Sequence, residues 1–478
     1  MLHNFLSPQL NKYLILIILL VPLTRSEIVF VFEQFRHGAR ASVFIGRHNK
    51  DKFKVSWIGD GELTGPGMRM HYLIGTHSRD RYQNLLSKKI NPKEVIVYST
   101  DLNRTILSAQ SQLLGMYPPE PGIELNERQI HKARPPIKFI PGMEEEISHL
   151  KNLSIPQKIQ GIPINIFEHD KKPYLLTETS ECPIMQYVKE ENFKKKIVQD
   201  FLTQFNKTYY EKLSKYFNNT NPNFLFDYIN MLGITDHFIS VYVHNRTLKG
   251  FQNIGINLED FFNQCKIFKN ISLFEIESPL EIGIMATSPV MSDLIKWMDA
   301  RIKMDMANDT IFNINAPKMV MYSGHDMTLV PTEQLLFKAF GVRAHYPEFA
   351  TNQFFELHRS DFVEKNLVNV NDYYVEYYHN GILHLNVSYL EFKEKVLELV
   401  WPMDKINNFC KIKFASTLDY IVYSALIIAL VFIGILIFRT SKKKKYSQKL
   451  SQNIENDNIK VYREEEEFDK EKNEKLVV

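Results

Sequence analysis

Cysteine is scarce. Cys182, Cys265 and Cys410 are the only three in 478 residues. An oxidising compartment would permit one disulfide and leave one free thiol, and spacing alone does not choose the pair. An excess of charge of one sign is also missing. With 58 basic against 55 acidic residues, composition gives no hint of a nucleic-acid partner. No internal repeat is visible. His71 and His77 have no ligand-like spacing and read as satisfied core or surface histidines, so nothing here calls for a metal. Long apolar runs are confined to the two ends of the chain.

Those two runs act as addresses. Lys12 precedes the apolar stretch Tyr13 to Val21, which is too short to span a bilayer and has the length of a signal-peptide core. Thr24 and Ser26 are small residues suited to cleavage before Glu27, so residues 1–26 are expected to be a signal peptide. Leu418 to Phe438 is a 21-residue apolar run broken only by Asp419, long enough for a transmembrane helix. Arg439 and Lys442 to Lys445 follow at once, and basic flanks stay cytoplasmic. The expected topology is single-pass type I: a lumenal or extracellular body, a membrane helix at 418–438, and a disordered cytoplasmic tail at 439–478. Asn103, Asn152, Asn206, Asn218, Asn245, Asn270, Asn308 and Asn386 each begin Asn-x-Ser/Thr on the lumenal side. A glycan on Asn103 would crowd a candidate active-site arginine, so that sequon is expected to stay unused. Lysosome or endosome versus cell surface, and monomer versus homodimer, stay open.

Within the body three segments share one grammar. Ile28 to Phe35, Glu94 to Thr100 and Lys318 to Ser323 are short β-rich runs without polar alternation. Such runs read as strands buried on both faces. Each ends in a polar cluster: Arg36-His37-Gly38-Ala39-Arg40, Asp101-Leu102-Asn103-Arg104, and Gly324-His325-Asp326. Helical stretches intervene at Gly65–Leu86, Leu102–Met116 and Ser288–Met306. The pattern predicts an α/β fold: a mixed central sheet with helices on both faces. The core is expected in two parts, 27–124 and 286–415. The aromatic, lysine-rich stretch 125–285 reads as an inserted, mainly α-helical cap, with helical periodicity at Phe193–Tyr216 and Phe224–Leu232. Asp372–Tyr378 and Ile382–Ser388 flank Asn380-Gly381, a hairpin signal.

In open α/β sheets, ligands bind beyond the carboxyl ends of the strands, and all three clusters stand there. Two arginines around one histidine suit an oxyanion better than a core. Arg36, Arg40 and Arg104 can hold phosphate oxygens through paired hydrogen bonds, and His325 can add a donor. The same arginines disfavour an imidazolium, leaving His37 able to attack phosphorus. Gly38 is expected to let the backbone approach the anion. Asp326 is the natural general acid for the leaving alkoxide; because it must begin protonated, an acidic optimum is expected. With three guanidinium groups present, neither metal nor cofactor is required.

Phe35 to Arg40 resembles the N-terminal signature of the histidine acid phosphatases, branch 2 of the histidine phosphatase superfamily. The similarity continues through Gly61-Glu62-Leu63-Thr64-Gly65-Pro66-Gly67 and Arg81-Tyr82. It extends to Tyr98-Ser99-Thr100-Asp101-Leu102-Asn103-Arg104-Thr105 and to Tyr322-Ser323-Gly324-His325-Asp326. The resemblance spans roughly residues 27 to 410 and implies a phosphohistidine on His37. It also implies a phosphate pocket of Arg36, Arg40, Arg104 and His325, with Asp326 as proton donor. The membrane topology resembles that of lysosomal acid phosphatases. Relatives pair cysteines at positions like Cys182 and Cys410, which implies that bridge here. Met327 stands where many relatives carry Thr. The expected substrates are small phosphate monoesters. An inositol-polyphosphate phosphatase (phytase) is the alternative enzyme, and a catalytically silent receptor for phosphorylated ligands is the alternative of another class.

Overall fold

The computed structural model describes residues 26–43, 59–119, 122–134, 142–166, 182–246, 251–309, 311, 313–360 and 367–411. The expected signal-peptide core, membrane helix and tail lie outside these residues. Among the described residues no helix is long and apolar enough to cross a membrane.

The strands are β1 (Ser26–Arg36), β2 (Val95–Ser99), β3 (Asn165–Ile166), β4 (Met319–Gly324), β5 (Asn352–Ser360), β6 (Tyr373–His379) and β7 (Ile382–Ser388). They form one mixed sheet in the order β3-β2-β4-β1-β5-β6-β7. The β3-β2-β4-β1 half is parallel, and β5, β6 and β7 continue antiparallel from β1. Register matters most for function. Arg36 at the end of β1 pairs with Gly324 at the end of β4, and Ser99 at the end of β2 pairs with Ser323. The three polar loops therefore leave the sheet at one level, on one rim.

The helices are α1 (Gly65–Arg81), α2 (Asn103–Met116), α3 (Glu127–Lys132), α4 (Met143–Leu150), α5 (Ile184–Phe193), α6 (Lys196–Phe217), α7 (Tyr228–Val243), α8 (Leu258–Ile271), α9 (Leu280–Met306), α10 (Asp326–Phe340), α11 (Tyr389–Leu399) and α12 (Met403–Cys410). Side chains alternate across a strand, so each central strand feeds two cores. Phe30, Phe32, Ile96, Val320 and Tyr322 pack with residues of α9, α10 and α11. Val31, Phe35, Val95, Val97, Met319 and Met321 pack on the other face with Ala109, Leu113 and Met116 of α2. Each fully buried Phe contributes about 1.5–3 kcal/mol, so the buried apolar side chains of β1 and β4 are what hold the rim in place.

A separate core joins α6, α7 and α8 through Phe205, Phe238, Phe261 and Phe268. The segment 125–285 is not purely helical, because its β3 pairs with β2 at the sheet edge. Two residues of strand carry no periodicity, which is why the sequence did not reveal it. α9 begins at Leu280, earlier than the expected Ser288, and runs through Pro289. Ile282, Ile284, Met285 and Ala286 are buried along this added stretch, and their packing outweighs the backbone bond lost at proline. Asn380 (φ 49°) and Gly381 (φ 78°) turn the β6–β7 hairpin with positive φ at both positions, as two-residue loops demand. β1 starts at Ser26, one residue inside the expected leader; Ser26 pairs with Ser360. Cys182 and Cys410 are joined by a disulfide within an apolar cluster shared by α5, α9 and α12, and Cys265 is a buried free thiol.

Candidate active site

The loop after β1 is pinned on three sides. The His37 N–H donates to Gly324 O (3.0 Å), and its carbonyl accepts from Ala350 N (3.1 Å). Gly38 N donates to Ser108 Oγ (3.1 Å), which itself donates to Arg104 O (2.7 Å), tying the loop to α2. Gly38 has a reason beyond the one expected. A Cβ there would lie 2.4 Å from Gly67 O, so glycine is required by backbone packing against the first turn of α1. Thr64 caps that helix and also donates to Ala39 O (2.8 Å).

His37 is buried. Its Nδ1 lies 2.9 Å from Gly38 O. A carbonyl can only accept, so Nδ1 carries the proton and Nε2 is left with the lone pair. Burial first, then Arg40, Arg36, His325 and Arg104, hold the imidazole well below its ordinary pKa. The ring is therefore neutral. His325 stands beside it, ring centroids 5.5 Å apart. Its Nε2 is 3.0 Å from Thr100 Oγ1, and burial plus the arginines push it down to about 3.

The arginines are held rigidly. Arg36 donates to Pro347 O (2.7 Å), pairs with Asp326 (3.0 Å) and lies over the Phe349 ring at 4.4 Å. Arg40 makes two bonds to Asp236 (2.7 and 3.3 Å), whose carboxylate also accepts from Ser42 Oγ and Val43 N. Burial, then the charge of Arg40, lowers Arg104 to about 10. All three Nε–H groups, of Arg36, Arg40 and Arg104, are buried with no hydrogen-bond partner among the described residues. Leaving such donors unmet costs about 1–3 kcal/mol each, and an oxyanion would satisfy them together.

Asp326 opens α10. One oxygen accepts from Met327 N (2.9 Å), so the backbone amide supplies a local bond whatever side chain follows. The other faces Arg36 and, at 3.7 Å, Lys269. Burial opposes ionisation, but Arg36, Lys269 and His325 outweigh it and hold the carboxyl well below the usual range. Without an anion bound, Asp326 is a carboxylate.

The six residues named from the sequence thus stand in one place, while others went unnoticed. Asp236 on α7 and Lys269 on α8 both reach in from the helical core. An acidic residue in the apolar run Ile234-Thr235-Asp236-His237-Phe238 was a usable signal, because a buried carboxylate must find a cation. Nothing around Lys269 distinguishes it from its lysine-rich neighbours. Phe349, beneath the Arg36 guanidinium, and Tyr346, close to the same charge, lie in an irregular segment without periodicity. Four cations, Arg36, Arg40, Arg104 and Lys269, face Asp236, Asp326 and, on the Lys269 side, Glu277; the cations remain in excess, which suits an anion. His71 is a satisfied core histidine, 3.0 Å from Gln112 Oε1 and 3.1 Å from Arg36 O.

A family model of the histidine phosphatase superfamily (branch 2) matches residues 35–380. The chain belongs to this superfamily. It is a phosphatase. It is 28% identical to a lysosomal acid phosphatase from Xenopus laevis over 372 residues, covering 74% of this chain and 72% of that protein. It is 25% identical to a prostatic acid phosphatase from Bos taurus over 363 residues, covering 74% and 78%. Among solved structures, the phytase of Hafnia alvei in complex with myo-inositol hexakis sulphate superposes with a TM-score of 0.53 at 13% identity. That match covers 82% of this chain and all of the other, a likeness of fold alone.

Proposed function

We propose that this histidine phosphatase hydrolyses phosphate monoesters at acidic pH through a phosphohistidine on His37. The observation that carries the reading is the neutral His37, its Nδ1 proton committed to Gly38 O, beside three arginines with unmet buried donors. His37 Nε2 attacks phosphorus while the P–O bond to the leaving group breaks. Arg36, Arg40, Arg104 and His325 hold the remaining oxygens, where charge is spread in phosphoryl transfer. Asp326 gives its proton to the departing oxygen. Water then attacks phosphorus, the P–N bond breaks, and the Asp326 carboxylate takes the water's proton.

Asp326 must first gain a proton, although Arg36 and Lys269 favour its anion. A bound ester supplies the change: its own negative charge competes for the same cations and raises the carboxyl's proton affinity in the complex. This makes an acidic optimum the expected behaviour.

The surrounding organisation belongs to the same reading. A signal peptide at 1–26 and a membrane helix at 418–438 place the catalytic body in a lumen or outside the cell, with 439–478 cytoplasmic. Relatives named lysosomal acid phosphatase support an acidic organelle. The cap is assigned to 125–285 and the core to 27–124 and 286–415. Turnover of p-nitrophenyl phosphate, an alkyl phosphate and phytate from pH 4 to 8 (roughly the range over which carboxylates and imidazoles titrate), beside His37→Ala, tests the proposal. Wild-type turnover of monoesters, abolished in the variant, is expected. Equal near-zero rates would favour the silent receptor, and preference for phytate the inositol-polyphosphate reading.

A further inference from the structure

Four side chains with metal-binding chemistry converge away from His37. Glu333 comes from α10, His345 from the segment that follows it, His379 from the end of β6, and His384 from β7. Donor atoms of Glu333, His345 and His379 all lie within 4.8 Å of one another. Glu333 Oε1 is 2.6 Å from His379 Nδ1 and 3.7 Å from His345 Nδ1. The His384 ring lies 4.7 Å from that of His345 and 6.1 Å from that of His379. A tetrahedral ion with ligands at about 2.0–2.1 Å needs donors about 3.3 Å apart, a spacing that the 2.6 and 3.7 Å separations from Glu333 bracket; the His384 ring, next to that of His345, is the nearest fourth group.

The groups are supported as ligands are. Glu333 is buried, and its carboxylate accepts from Tyr377 Oη (3.3 Å) and from His345 N (2.5 Å). Nδ1 of His345 and Nδ1 of His379 are buried and make no aligned hydrogen bond among the described residues, despite the carboxylate beside them. Partly exposed His345 and His384 leave a route from solvent.

A second cluster, Glu356, His358 and Glu376, has similar spacing but is already filled. Arg81 grips Glu356 through two bonds, Tyr82 adds a third, His358 sits between both carboxylates, and Tyr378 and Asn386 bond Glu376. It is a closed ion-pair network. Among the described residues, no arginine or lysine is bonded to the Glu333 carboxylate.

We propose that Glu333, His345, His379 and His384 bind one divalent transition-metal ion of the zinc class, which accepts imidazole and carboxylate ligands. The ion is separate from the phosphatase chemistry. Its effect is architectural: it ties His345, and with it the segment that carries Tyr346, Pro347 and Phe349 to Arg36, onto the β6–β7 hairpin.

The test uses untagged full-length protein stripped with chelator, loaded with zinc or cobalt near pH 7.5, where imidazole nitrogens are largely unprotonated, and freed of excess metal. One equivalent of zinc should remain, with cobalt giving the visible bands of a four-coordinate site. His345→Ala and His384→Ala should each lose the ion, and Tyr377→Phe should weaken binding about 10- to 100-fold. His37→Ala should retain it. Folding of each variant is checked by circular dichroism, and the two partly exposed histidines serve where His379→Ala fails to fold. Absence of retained zinc in the wild type, or retention unchanged in both His345→Ala and His384→Ala, would overturn the proposal.

Discussion

Replacing Asp326 with Asn separates binding from chemistry. In the unliganded site Asp326 lies 3.0 Å from Arg36 and 3.7 Å from Lys269. At an effective dielectric constant of about 20 these distances correspond to gross attractions of about 5 kcal/mol each, before desolvation is charged against them. An incoming phosphate must compete with that carboxylate for Arg36. Asn removes the competitor; if only about a quarter of one attraction survives screening and relaxation, KM falls about tenfold (~1.4 kcal/mol). Asn also removes the proton. General acid catalysis is worth about 10²- to 10⁴-fold, or about 3–5 kcal/mol, and the requirement grows with the basicity of the leaving oxygen. For Asp326→Asn, kcat on an alkyl phosphate should drop by that factor, kcat on p-nitrophenyl phosphate much less, and KM should fall for both. Steady-state kinetics on the two esters supply all four numbers. Unchanged kcat on the alkyl ester, or a rise in KM, would refute the reasoning.

Three further outcomes follow from neighbouring residues. Lys269 favours the Asp326 carboxylate, so Lys269→Met raises that carboxyl's pKa; the proton is kept to higher pH, and the alkaline limb of the kcat profile moves upward. Asp236→Ala leaves buried Arg40 without its bidentate partner; urea unfolding should show a loss of about 3–5 kcal/mol, and a loss below about 1 would contradict the assigned role. Glu33 is pushed up to about 8 from an ordinary 4.5, chiefly by burial. A folded-state pKa above the unfolded value stabilises below about 4.5 and is lost as pH rises through about 8, a swing on the order of 5 kcal/mol. Glu33→Gln should flatten that part of the stability–pH curve.

The sheet was legible because its central strands are buried on both faces, so β2 and β4 appear as apolar runs and β1 as one interrupted only by Glu33 and Gln34. The rim was legible because each apolar run gives way to polar residues at the carboxyl end of a strand, and Arg36, His37 and Asp326, which stay buried there, must find partners. Asn380-Gly381 announced its hairpin through backbone sterics. What was hidden came from tertiary partners. Asp236 and Lys269 lie on helices whose neighbours are set by packing, and no periodicity says which helix will face Arg40 or Asp326. Ala350, with φ 61°, holds the His37 carbonyl from a left-handed conformation that its side chain does not advertise. The packing requirement for glycine at Gly38 was hidden because its neighbour Gly67 is distant in sequence. The histidines of the Glu333 cluster are spread over two strands and a loop, so their convergence could not be read from spacing.

The central claim is that His37 Nε2 carries the phosphoryl group. Rapid mixing with ³²P-labelled ester, quenching into base (where phosphoramidates survive) and peptide mapping tests it directly. The account predicts label on the peptide containing His37, discharged by water in the time of one turnover and missing from His37→Ala. Turnover without label on any histidine, or label that persists in His37→Ala, would contradict it.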